Sequence, residues 1–177
     1  MADNQPLPPA SSEDSNNNST TANEDSTDKS TPAASTTEEK EYTAASVQDA
    51  WNNHFAAFGS QDLDRIVKDY TEESVLECYD GGSDKRTKVV GIASIRAFFS
   101  TLFESLTDLS TLSAPVIEIT EEPFKQVFLC WSCSSSGVTF AHDTFFFDEH
   151  NKIIRQNIGC VIEPKKATSE WRKVMNK

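Results

Sequence analysis

The sequence predicts an α+β fold, on two observations. Apolar residues recur at helical spacing in three stretches, whereas six shorter runs are rich in Val, Ile, Phe and Thr and bounded by turn residues. The order is helix, helix, strand, strand, helix and then four strands, with no internal repeat. Strands that follow one another without helices between them pair mainly antiparallel, so helices and sheet form separate layers.

The elements follow in order. In "SVQDAWNNHFAAFGS", Val47, Trp51, His54, Phe55 and Phe58 fall on one helical face. Ser46, with Asp49 three residues on, reads as its cap, and Gly59 as its stop. A second helix, capped by Ser60, carries Leu63, Ile66, Val67 and Tyr70 inward. "SVLECYDGGSDKRTKVVG" reads as strand, glycine-rich turn and shorter strand. "GIASIRAFFSTLFESL" then gives a wide apolar helical face from Ile92 to Leu106. The runs "APVIEITEEP", "FKQVFLCWSCSSS", "GVTFAHDTFFFD" and "KIIRQNIGCVIE" are strands, the last two joined by a short "DEHN" loop.

Before this domain lies a segment of another kind. Residues 1–42 are Ser, Thr, Asn, Pro and acids, with Leu7 the one large aliphatic residue after Met1. Such a stretch buries too little apolar surface to offset its ordering entropy, so it is expected to be disordered. Residues 43–163 form the expected domain and residues 164–177 a basic extension, with "SEWRKVMNK" a short helix capped by Ser169.

The net charge is −12, of which the tail's nine acids and two lysines supply −7. An acidic chain without a basic stripe argues against nucleic acid and against anionic membranes as partners. No stretch has the length and apolarity of a membrane span, and the N-terminus has no secretory layout, so the expected compartment is the cytoplasm.

Three stretches carry a resemblance: "HFAAFGSQDLDRIVKDYTEESVL", "VVGIASIRAFFSTLF" and "DTFFFDEHNKIIRQ". They resemble, respectively, the opening helical pair, the glycine-then-helix element and the closing hairpin of the nuclear transport factor 2-like superfamily, and within it the SnoaL-like group. The resemblance spans about residues 45–162. It implies a cone: a strongly curved, mainly antiparallel sheet wrapped around three helices, as in the cystatin-like folds, with a pocket at its mouth. It also implies pairing of two copies through the outer sheet face. In "FKQVFLCWSC" Phe124, Phe128 and Cys130 share one face and Val127, Leu129 and Trp131 the other. With both faces apolar, neither is expected to meet water, which supports a homodimer.

The superfamily holds isomerases, cyclases, dehydratases, epoxide hydrolases and non-enzymatic binding proteins, so function must come from particular residues. Two stand out as acid–base candidates. His54 lies on the apolar face of the first helix, where the resemblance places the pocket wall, and imidazole titrates near neutral pH. Asp143 keeps step with Phe145 and Phe147, an unusual choice for a solvent face, and desolvation is expected to raise its carboxyl. Phe58 and Phe145 are candidate pocket aromatics, Trp131 either a pocket wall or a dimer contact, Tyr70 and Tyr79 candidate phenol donors, and Gln156 a polar pocket residue by resemblance. Two aspartates around an arginine, as in epoxide hydrolases, are not evident.

Cys130-x-x-Cys133 has the spacing of a redox pair or half a zinc site, but lies in a strand, where residues three apart point to opposite faces. Cys78 and Cys160 each stand alone in sequence, so no metal set is expected and all four cysteines read as packing residues. Two readings follow. One is cofactor-free isomerisation, cyclisation or dehydration of a small hydrophobic ligand, with Asp143 as base or acid and His54 or a tyrosine polarising the substrate oxygen. The other is a non-catalytic module that binds a protein partner or carries a ligand.

Overall fold

The computed structural model describes residues 42–163 and 169–175. The expected tail, residues 1–42, lies outside them apart from Tyr42. Among the described residues the helices are α1 (Val47–Ser60), α2 (Leu63–Ile66), α3 (Ile92–Ser105) and α4 (Ser169–Met175). The strands are β1 (Tyr70–Asp80), β2 (Lys85–Val90), β3 (Leu112–Thr120), β4 (Gln126–Cys133), β5 (Val138–Phe147) and β6 (Ile153–Ile162).

Ser46 caps α1 as expected, its hydroxyl accepting from the Asp49 amide at 3.1 Å. The other end differs. The helix runs through Gly59 and stops at Gln61, which adopts the left-handed conformation (φ 55°). Asp62, not Ser60, caps α2, accepting from the Arg65 amide at 2.9 Å. The Ser60 hydroxyl instead donates back to the Ala56 carbonyl. A single 3₁₀ turn, Val67–Asp69, follows α2, so Tyr70 opens β1 rather than ending a helix.

The strands form one curved, unclosed sheet in the order β2-β1-β6-β5-β4-β3. Only the β1–β6 pair is parallel. Register shifts interrupt four of the five pairings, and such bulges bend a sheet. Pro115, which cannot donate to a ladder, is tolerated because β3 is an edge strand.

The sheet's inner face packs on α1 and α3. Leu76, Val127, Phe145 and Ile153 meet Val47, Trp51, Ile95, Phe98 and Phe99 in one core. Each such large side chain contributes about 1.5–3 kcal/mol on burial. The core also takes Trp171 and Met175 from α4, which packs against α3 and β2.

Candidate functional site

Strand alternation decides which polar groups enter the interior. On β4, Val127, Leu129 and Trp131 face inward, and Phe128 and Cys130 face outward. On β5, Asp143, Phe145 and Phe147 face inward. Leu129 and Ile158 are the direct cross-strand neighbours of Asp143. Trp131 and Gln156 are its diagonal neighbours on the same face, and both bond to it. The Trp131 indole N–H donates to Asp143 Oδ2 at 2.7 Å, and the Gln156 amide donates to Oδ1 at 2.9 Å. The Tyr70 hydroxyl donates in turn to Gln156 Oε1, which fixes the amide with its NH₂ toward the carboxylate.

Burial pushes the Asp143 carboxyl above its usual range, as its place among phenylalanines predicts. Its two hydrogen bonds and the nearby His54 and His142 oppose that shift without cancelling it. The Tyr70 phenol is raised well above its ordinary value, first by burial and then by the charges of Asp69 and Asp143. It therefore stays a donor.

His54 is held from the opposite side. The 3₁₀ turn places Asp69 under α1, with Oδ2 3.1 Å from His54 Nδ1. Asn53 donates to Asp69 Oδ1 at 2.7 Å, and Arg65 Nε donates to Asn53 Oδ1 at 2.6 Å. A ring nitrogen that faces a carboxylate carries the hydrogen, so a neutral His54 leaves Nε2 as the open nitrogen. No described residue is hydrogen-bonded to Nε2. The ring stands edge-on to Phe145, with centroids 5.0 Å apart.

These groups border a cavity of about 40 Å³, walled almost wholly by apolar side chains. That is room for a few water molecules. Of the residues singled out in the sequence, His54, Asp143, Phe58, Trp131, Phe145 and Gln156 lie on its wall. Tyr70 stands behind Gln156 and is not part of the wall. Tyr79 is a correction: it lies on the outer face of β1, 48% exposed, with its hydroxyl on Asp84 at 2.8 Å. Its neighbours Cys78 and Asp80 point inward, and alternation sends Tyr79 out.

Two residues of this region were not legible beforehand. Asp69 meets His54 only because the chain breaks between α1 and α2, and no local pattern announces that fold-back. Trp171, on the cavity wall, did leave a signal: a lone tryptophan within a basic, polar terminus.

All four cysteines are free thiols. Cys130 and Cys133 lie on opposite sides of β4, as alternation requires, and Cys133 donates to the Asp108 carbonyl. Cys78 and Cys160 do not stand apart as their sequence positions suggest. They meet on the inner faces of β1 and β6, two residues out of register. The hydrogen bond with Cys160, and then burial, push the Cys78 thiol well up, which makes it inert. No group of three or more metal-ligating side chains is arranged to hold an ion among the described residues. No described helix is long and apolar enough to cross a membrane.

No family model and no curated protein matches the chain. Solved structures do. A cystatin-like protein of unknown function from Methylobium petroleophilum superposes with a TM-score of 0.52 at 15% identity, covering 67% of this chain and 79% of the other. A steroid delta-isomerase from Pseudomonas aeruginosa gives 0.51 at 13% identity, covering 76% and 91%. A nuclear transport factor 2-like protein of unknown function from Burkholderia xenovorans gives 0.49 at 18% identity, covering 72% and 90%. At such identities likeness speaks of architecture alone. The curved six-stranded sheet, its helices on the inner face and the first two of these superpositions agree: the chain has the curved-sheet, cystatin-like α+β fold.

Proposed function

We propose that this domain is a SnoaL-like, cofactor-free enzyme that moves a proton on a small hydrophobic carbonyl compound, in an isomerisation, cyclisation or dehydration. The observation that carries this is that Asp143 and His54 both line one mostly apolar cavity. Burial makes the Asp143 carboxylate a stronger base than an exposed aspartate. In the proposed step it takes a proton from the carbon beside the carbonyl. His54 in the form that carries a hydrogen on both ring nitrogens, with Nδ1–H toward Asp69, gives the Nε2 proton to the carbonyl oxygen, and the two transfers leave a neutral enol. Tyr70 acts as a positioning residue through Gln156. A steroid delta-isomerase of like fold supports this class of chemistry.

A second reading, a ligand carrier without turnover, has its own support. Both Asp143 oxygens already accept a hydrogen bond within the protein. Proton exchange separates the two. In deuterated buffer, a panel of enolisable ketones from acetone to 2-tetralone is followed by proton NMR for loss of the hydrogens beside the carbonyl. The enzyme reading expects exchange by the native protein, lowered on the order of 10²-fold or more in Asp143→Asn. Binding without exchange leaves the carrier.

The same proposal extends to assembly and place. Two copies pair through the outer sheet face, where Phe140, His142 and Val161 are exposed and Phe128 and Cys130 are half-buried. Four unbridged thiols suit a reducing compartment such as the cytoplasm.

A further inference from the structure

We infer that Trp171, on the C-terminal helix, is the specificity-determining residue of the cavity and sets the upper size of the molecule it accepts. This rests on the reading that the cavity binds a small hydrophobic molecule. Trp171 lies on the cavity wall and is 2% exposed. Its indole N–H donates to Asp80 Oδ2 at 3.2 Å, and its ring meets Phe98 at 6.0 Å.

Register fixes its place relative to the acid–base pair. Asp80 pairs across the sheet with Cys160, then Ala141, then Trp131. The adjoining inward-facing row is Cys78, Ile158, Asp143 and Leu129. The indole is therefore anchored one row, about 6.6 Å along the strand, from the row of Asp143. His54 and Phe145 bound the cavity from the other direction, Phe145 lying in the row on the far side of Asp143. A ligand that reaches Asp143 can thus extend toward Trp171, which stands with Val138 and Ile162 at that end of the wall.

The anchor is built, not incidental. Asp80 is itself buried, and its carboxylate also accepts from the Gly82 amide at 2.9 Å and from Ser83 at 3.1 Å. Gly82 belongs to this arrangement because a Cβ there would stand 2.6 Å from the Ile162 carbonyl oxygen. Of the other large wall residues, Trp131 and Phe145 belong to the sheet, and Trp51, Phe55, Phe58, Phe98 and Phe99 to the core-forming helices α1 and α3. Trp171 comes from a seven-residue helix packed against α3 and β2, so its truncation enlarges the cavity and leaves the Asp143 and His54 networks intact. The ligand class that follows is a compact, mostly apolar molecule of about one ring, not a polycyclic one.

Calorimetric titration of the full chain with phenol, 1-naphthol and 9-phenanthrol tests this, with Trp171→Ala and Trp171→Leu beside it and circular dichroism to check folding. The native protein is expected to bind phenol and to discriminate against 9-phenanthrol. In Trp171→Ala, 9-phenanthrol affinity should rise on the order of tenfold or more while phenol affinity changes little, with Trp171→Leu intermediate. Phenol should compete with the larger probes, which places them in one cavity. If the alanine variant does not fold, the leucine variant decides. Phenol bound by every protein with an unmoved size limit overturns the inference and leaves the proposed function standing. No binding of any probe by native or enlarged protein overturns both.

Discussion

A buried carboxylate that keeps both its hydrogen-bond donors is costly in a way that depends on pH. Burial raises the Asp143 carboxyl above its value in the unfolded chain. Below both values each state holds the proton, and Asp143 is neutral toward stability. As pH rises past the unfolded value, the unfolded chain loses its proton first, so rising pH favours unfolding until the native group also ionises. Each pH unit within that window costs about 1.4 kcal/mol. Asp143→Asn has no such proton, so chemical denaturation of native protein and variant from pH 3.5 to 7 should show the native protein losing stability relative to the variant as pH rises. A difference that is flat with pH would remove the raised carboxyl. The same shift governs the proposed chemistry with the opposite sign. A general base must be unprotonated, so the acid limb of the rate profile should lie above the ordinary aspartate range. His54 and Asp143 were legible because their neighbours in sequence are apolar at the right period. Asp69 was not, because its value lies wholly in a contact across a turn.

At the scale of elements, the strands were legible and the joints were not. Alternation in "HDTFFFD" and "FLCWSC" assigns each side chain to its face, and the structure follows it residue by residue. It equally sends Tyr79 outward, away from the pocket expected for it. The end of α1 shows why joints mislead: glycine is a frequent stop, yet Gln61 takes the left-handed position and Asp62 supplies the next cap. Local preference differs there by only about 1 kcal/mol, less than the packing of one aromatic ring, so the tertiary structure decides. The same holds for α4, a weak seven-residue helix that exists by docking. Its docking passes through Asp80, which leads to a prediction for the element. Asp80→Ala removes the acceptor of the Trp171 indole, the Gly82 amide and the Ser83 hydroxyl, a loss of about 1–3 kcal/mol. Hydrogen-exchange mass spectrometry should then show faster exchange in α4 and the β1–β2 turn, with α1 and α3 protected as before. Uniformly faster exchange would instead make Asp80 a support of the whole fold.

For the whole molecule the question is what covers the outside of the sheet. A sheet with one face on helices commonly shows water a polar outer face. Here the outer face divides. Toward β1 and β2 it is charged, with Glu77 bridged by Arg86, Lys88 and Arg155; the hydrogen bond from Arg86 first, and then Arg155, hold the Glu77 carboxyl below its usual range. Toward β4, β5 and β6 it carries Phe128, Cys130, Phe140, Phe146 and Val161. Phe140 is 50% exposed and its cross-strand partner Val161 42%. The His142 ring lies across Gly159, where even a Cβ would meet its Nε2 at 2.3 Å. An apolar half-face beside a charged half-face suits a self-complementary pairing about a two-fold axis, with the apolar halves at the centre and the charges at the rim. Sedimentation equilibrium of the native protein should therefore return twice the chain mass. Phe140→Glu places two like charges at that centre, and each lacks a partner when desolvated. It should yield monomer with an unchanged circular dichroism spectrum, since the side chain is not part of the core. Arg86→Ala, at the rim, should weaken the dimer far less, because exposed charge pairs contribute only about 0–1 kcal/mol. A native protein that sediments as monomer at every concentration, or a Phe140→Glu variant that remains dimeric, would move the pairing off this face.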